Sequence, residues 1–329
     1  MKRLLRVSGS YLLMFAFPLI LFGIMMLAFP EVTSTNIPSL FKQSLLPTVL
    51  ACGLLFNMSC GNWDFAIGSE AILAAIIGGN LAMRLGLGLA GIIAGSVLVG
   101  IVCGSLIGLV YYWTKIPTII VSIGFLFVYE CIGALAFGGH GVNISGSGYV
   151  VLGTYPWNII YSFAAIAFAY FLLYRTRFGY QVRFVGSDIN IAVTNGVKAY
   201  KIKAICLMLS GLFGGLYSAA SLCSNGVIAP QTQMGTMTVV FDAMMGCIVG
   251  MALSFGKNNL IVSMFVGSLI MQEIKLALLV MGVQTQYVNV FIAVLVLILL
   301  TFATNPQIMI KIKKRVSKLM PKRKTDIRI

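Results

Sequence analysis

A chain of 329 residues that is 59% hydrophobic and only 9% charged is not a soluble domain, in which about a quarter of residues carry charge. Apolar runs of roughly the 20 residues that a bilayer crossing needs recur along almost its whole length, which predicts an all-α polytopic membrane protein with a single transmembrane domain over 1–329. The formal charge of +15 does not point to nucleic acid: 18 of the 23 basic residues sit in three clusters, none with the regular basic–aromatic interleaving of a nucleic-acid site, and short Lys- and Arg-rich loops stay cytoplasmic.

Lys2, Arg3 and Arg6 mark 1–7 as a cytoplasmic N-terminus ahead of a span over 8–29. That span is expected to be uncleaved, because the run from Tyr11 to Phe29 is too long for a signal peptide and no A-x-A site follows. After an outer loop at 30–43, spans are expected at 44–60, 66–83, 87–112, 117–138 and 155–174. A basic cytoplasmic loop (175–203) separates these from spans at 204–223, 236–253, 259–282 and 287–304, and a basic cytoplasmic tail occupies 305–329. Ten spans fit two cytoplasmic termini. Two of them, 44–60 and 236–253, are short enough to be broken or re-entrant.

The span 87–112 carries Gly91, Gly95, Gly100, Gly104 and Gly108 at G-x-x-x-G spacing, and Gly211 and Gly215 repeat the device. Lipid offers no hydrophobic drive for helix association, so close backbone contact supplies it, and 87–112 is expected to be central. Trp63-Asp64 and Phe241-Asp242 form a weak echo between two helix groups running in opposite directions, as an inverted repeat would. The seven cysteines all lie in or beside apolar stretches without CxxC spacing, and with one His they make no zinc site.

Charged groups inside the spans are few: Asp64, Glu70, Glu130, Asp242, Glu273 and Lys275. Asp64 is expected to cap a short helix over 66–76. Six residues further on, Glu70 would lie about 600° round that helix, off the Asp64 face, and is expected to meet a wet cavity or a polar partner. Asp64, Ser69, Glu70, Glu130 and Asp242 are the candidates for a translocation path. No P-loop occurs, since "GMALSFGKN" (250–258) has one residue too many and ends in Asn. The lone His140 has no triad around it, which leaves no enzyme reading. No cofactor is expected on this chain, and ATP would belong to a partner subunit.

Within 175–203, "SDINIAVTNG" predicts a short helix with Ser187 or Asp188 as its N-cap and Asn195-Gly196 as its left-handed stop. Ile189, Ala192 and Val193 would form one small apolar face. Such a helix either rests on lipid headgroups or enters a groove on a cytoplasmic partner.

Several stretches now carry a resemblance. "GNWDFAIGS" (61–69), "IPTIIVSIG" (116–124), the loop residues Phe178, Gly179, Val185, Gly186, Asp188, Ala192 and Gly196, "LSGLFGGLYSA" (209–219) and "FDAMMGCIVGMALSFGK" (241–257) are similar, in order, to motifs of the ribose-type sugar permeases of bacterial ABC importers. The resemblance covers roughly 45–304. Departures include Trp63, Phe65 and Ala66 for Ile, Leu and Ser, Tyr180 for Arg, Asp188 for Asn, Glu130 where the family commonly has Arg, and the lack of a Gly-Gly-x-x-Leu-x-Gly-Gly run. It implies a permease subunit in a bacterial inner membrane that moves a small polar solute such as a monosaccharide. Its partners would be a second permease subunit, alike or a sibling, a cytoplasmic ABC ATPase, an extracytoplasmic binding protein and membrane lipid. ATPase coupling would fall to Arg183, Gly186, Asp188, Ala192, Asn195 and Gly196. A nucleoside or amino-acid permease of the same superfamily, or a secondary transporter or channel without an ATPase, are the alternatives.

Overall fold

The chain is described here from a computed structural model covering residues 2–146, 148–253, 259–284 and eight positions between 287 and 298, with side chains from residue 14 onward. The tail 305–329, residues 254–258 and much of the expected span 287–304 lie outside the described residues.

Among the described residues, helices form where the apolar runs predict them: α1 (Lys2–Ala28), α2 (Asn36–Ser59), α3 (Ile67–Arg84), α4 (Gly88–Thr114), α5 (Thr118–Leu135) and α6 (Trp157–Arg175). The basic loop folds into α7 (Arg177–Ser187) and α8 (Ile189–Thr194), after which come α9 (Ala199–Asn225), α10 (Met237–Leu253) and α11 (Leu260–Val280). A two-residue antiparallel ribbon pairs β1 (Val142–Asn143) with β2 (Val227–Ile228). Among the described residues, six helices are long and apolar enough to cross a membrane: α2, α4, α5 with its continuation to Gly139, α6, α9 and α11. The apolar part of α1, Met14–Ala28, and α10 are shorter. α2 starts at Asn36, eight residues before the expected 44, so it is a full span and not a broken one.

Two ends are distinguishable. One, here the basic end, holds α7 and α8, Lys115 over the Tyr200 ring, the Ser59 end of α2 packed on Gly186, and Leu260 N–H donating to Tyr174 Oη at 2.8 Å. The other holds the ribbon, the Arg84–Phe137 stack and Gly153 against Cys223.

Glycine sets the helix spacing. A Cβ on Gly211 would lie 2.2 Å from the Gly100 carbonyl oxygen, and one on Gly215 would lie 2.6 Å from that of Ser96, so α4 and α9 touch backbone to backbone. Gly78 against Ser96 joins α3 to α4, and Gly267 against Gly246 joins α10 to α11, in the same way. The expectation that 87–112 is central needs correcting. α4 packs through its glycine stripe, but Leu98, Val102 and Leu106 on its other faces are exposed, whereas α2 and α9 occupy the middle. Small residues mark the face a helix packs with; they do not say how many other faces are covered.

Candidate functional site

The bend "GNWDF" breaks the helical path between α2 and α3 inside the protein. Asn62 Nδ2 donates to the Lys203 carbonyl at 3.1 Å, and the Trp63 N–H donates to Thr118 Oγ1 at 3.1 Å, which ties the bend to the starts of α9 and α5. Asp64 then turns inward and is buried. Its Oδ1 accepts the Ala66 N–H at 3.0 Å, while Oδ2 accepts from Ser210 Oγ and, at 3.4 Å, from Asn57 Nδ2. Ser210 stands eleven residues into α9, roughly 16 Å along that helix, so α3 begins well inside the bundle.

α10 does the same from the other direction. The turn that leads into it is held by Glu130, twelve residues along α5: Oε2 accepts the Met234 N–H at 2.9 Å, and Oε1 accepts the Thr236 N–H at 3.0 Å and the Thr236 hydroxyl at 2.6 Å. A Cβ on Gly68 would meet the Thr236 carbonyl oxygen at 2.6 Å and Val240 at 2.7 Å, so the two helix starts touch. α3 leaves this level toward the ribbon, where Gly79 faces Val142, and α10 leaves it toward the basic end, where Cys247 meets Met58. Each free N-terminus carries about half a positive charge. Asp64 and Glu130 answer one each.

Glu70, in the first turn of α3, is fully buried, and neither Oε atom has a hydrogen-bond partner among the described residues. It lies close enough to Asp64, Cys103 and Tyr129 to interact electrostatically with each. The helical-wheel separation of Asp64 and Glu70 therefore fails, because residues 62–66 are a bend and not helix. Ser69 is buried and donates to the Ala66 carbonyl at 2.8 Å. Asp242 stands apart from this group, turned to α11, where it pairs with Lys275.

A cavity of about 230 Å³ opens between α3, α9, the segment after β2 and α10. Tyr217, Ser218, Ser221, Asn225 and Gln231 supply its polar lining, and no charged side chain lines it. Ser218 Oγ and Gln231 Oε1 are buried without a hydrogen-bond partner among the described residues, and Asn225 Nδ2 donates to Ser221 Oγ at 3.2 Å. The sequence reading missed these residues and Ser210. Their signal was there: Ser210, Ser218, Ser221 and Asn225 recur at 8, 3 and 4 residues, a polar stripe on an otherwise apolar helix.

The loop candidates are also placed. Asp188 Oδ1 accepts the N–H groups of Asn190 at 2.8 Å and Ile191 at 3.2 Å, so Asp188, not Ser187, starts α8. Asn195 Nδ2 donates to the Ile191 carbonyl at 2.7 Å, and Gly196 takes φ +80°. Arg183 donates to the Gly179 carbonyl and stacks on Tyr174 at 5.2 Å, and Gly186 abuts Ser59. The expected apolar face is corrected. Ala192 is 0% exposed and packs with Ile189 into the protein's own core, whereas Ile191 and Val193 are 53% and 52% exposed. A short surface helix needs an inward face before it can offer an outward one.

Residues 36–300 match a family described as branched-chain amino acid transport system / permease component. The chain is 25% identical over 261 residues to the D-allose transport system permease protein of Escherichia coli (strain K12), covering 78% of this chain and 79% of that protein. It is 27% identical over 278 residues to the L-arabinose ABC transporter permease protein of Azospirillum brasilense, covering 82% and 80%. Over 265 residues it is 26% identical to the autoinducer 2 import system permease protein of Yersinia pestis (strain Pestoides F), covering 79% and 74%. No solved structure matches. An all-α, multi-pass membrane protein with this match along most of its length belongs to the family of transport-system permease components: it is the permease subunit of an ABC importer and not an enzyme.

Proposed function

We propose that this chain carries a monosaccharide across a bacterial inner membrane, with both termini cytoplasmic. In this reading α1–α6 and α9–α11, together with the apolar stretch 287–304, make ten membrane-embedded segments, of which α3 and α10 start inside. The back-to-back starts of those two helices favour an inverted repeat. The chain works with a second permease subunit, a cytoplasmic ABC ATPase that supplies all ATP chemistry, and an extracytoplasmic binding protein. α8 couples to the ATPase through Ile191 and Val193, its exposed apolar side chains, held in place by Asp188, Asn195 and Gly196.

The observation that carries the substrate class is the uncharged lining of the cavity beside α9. Hydroxyls and amides suit the hydroxyl groups of a sugar, whereas an amino acid would bring a buried ammonium and carboxylate with nothing to pair them. That its relatives are named for D-allose, L-arabinose and autoinducer 2 supports this choice over the family's amino-acid description. Asp64, Ser69, Glu70 and Glu130 shape the path beyond the cavity. The test is uptake into proteoliposomes holding the permease, its co-purifying ATPase and its binding protein, with labelled monosaccharides and branched-chain amino acids as substrates. ATP-dependent sugar uptake that Gln231→Leu lowers at least tenfold is the expected result. Uptake of an amino acid and of no sugar overturns it.

A further inference from the structure

Away from the uncharged cavity, a second, larger hollow of about 650 Å³ lies along the outer face of the α4–α9 pair toward the basic end. Gly108 and Ala204 let the two helices close at its floor, where a Cβ on Gly108 would stand 2.7 Å from the Ala204 carbonyl oxygen. Val102, Leu106, Leu109 and Met208 form its walls, and all four are exposed. Its mouth at the basic end is different. Lys198 and Lys201 line it, and Tyr112 lies on the α4 side. Both lysines are exposed, and neither is ion-paired among the described residues. Lys115 lies nearby over the Tyr200 ring, at 5.4 Å, and adds a third positive charge. None of the residues lining the hollow is acidic.

We propose that this groove holds one anionic phospholipid of the leaflet at the basic end, an acyl chain along Val102, Leu106 and Met208 and the phosphate on Lys198 and Lys201. The shape and the charge agree on this occupant. An apolar trough between two spans is filled by hydrocarbon, and unpaired lysines where that trough meets the membrane surface attract anionic headgroups. A zwitterionic lipid fills the trough equally well but gains less from the lysines. A second copy of the chain would bring its own basic end against three cations. Lys198 directly precedes α9 and follows the turn that ends α8, so the lipid would also brace the α8–α9 junction.

The test is native mass spectrometry of the full-length permease, titrated in detergent with phosphatidylglycerol and phosphatidylcholine of identical chains. The wild type is expected to retain one phosphatidylglycerol in preference to phosphatidylcholine. The double variant Lys198→Gln/Lys201→Gln should lose that preference by about 25-fold, near fivefold per lysine. Val102→Trp, which fills the trough at an exposed position, should weaken both lipids alike. The control Lys42→Gln should change nothing. Equal retention of the two lipids by the wild type, or unchanged preference in the double variant, overturns the proposal. So does a lipid-free dimer that Val102→Trp converts to monomer, which would give the groove to a second chain. None of these outcomes depends on which solute is transported.

Discussion

Glu130 receives two backbone N–H groups and a hydroxyl at the start of α10, every one of them from residues more than a hundred positions away. Hydrogen bonds to a charged acceptor contribute about 1.5–3 kcal/mol each, and an amide in its place would turn a donor toward donors. Glu130→Gln is therefore expected to destabilise the protein by about 2–3 kcal/mol and Thr236→Val by about 1 kcal/mol, read as lowered thermal midpoints in detergent. Midpoints equal to wild type would show that the start of α10 needs no anion. Glu70 presents the opposite case. Buried with no partner, its carboxyl has no described hydrogen bond to lose, and a charge in a membrane interior costs about 2.5–3.5 kcal/mol. Glu70→Gln should leave the thermal midpoint unchanged or raise it while altering uptake or solute preference. A lower midpoint with wild-type uptake would make Glu70 a structural residue. The sequence showed that these carboxylates were costly, but not what answered them. Hydrogen bonds spanning 104 and 106 positions leave no trace in local pattern.

The helices themselves were legible to within a few residues wherever their signal was local. The Asp188 cap and the Gly196 stop of α8 are cases, since both act within one turn. The direction in which α8 faces was not legible, because three apolar residues on a six-residue helix cannot say which of them the rest of the protein claims. A prediction separates the two sides. Ala192→Arg buries an unpaired cation and should reduce folded protein, whereas Ile191→Arg and Val193→Arg should leave the yield intact and abolish ATPase co-purification. Full co-purification of both exposed-face variants would remove α8 from the coupling surface. The glycine contacts are a stricter matter of distance. Gly211→Val would drive its side chain into the Gly100 carbonyl, and the helices must part or the protein fail, at about 1–3 kcal/mol or more. Lys275, two turns beyond the Gly267 contact and already paired, offers a mild control through Lys275→Arg.

At the scale of the molecule, sidedness can be measured directly. Cys131 is exposed and the other six cysteines are buried, so Cys131→Ser supplies a quiet background for single-cysteine labelling. Ser34→Cys and Ser145→Cys, at the end opposite the basic loop, are expected to react with an impermeant maleimide added to whole cells. Thr194→Cys, and Ser317→Cys in the tail, are expected to react only after lysis. Labelling of Thr194→Cys in intact cells would invert the topology. Charge placement is what argues for this sidedness, because exclusion of cations from lipid acts on long segments and not on single contacts.

Two helices that begin at the same interior level and run apart leave a layer crossed by other helices but spanned by neither of these two. A shear in that layer, α3 moving with the ribbon side and α10 with the basic side, would break no hydrogen bond inside either helix. It would strain the carboxylate contacts at Asp64 and Glu130 and the Gly68–Thr236 touch point. Neither α3 nor α10 continues through that level, and three small contacts hold their starts there.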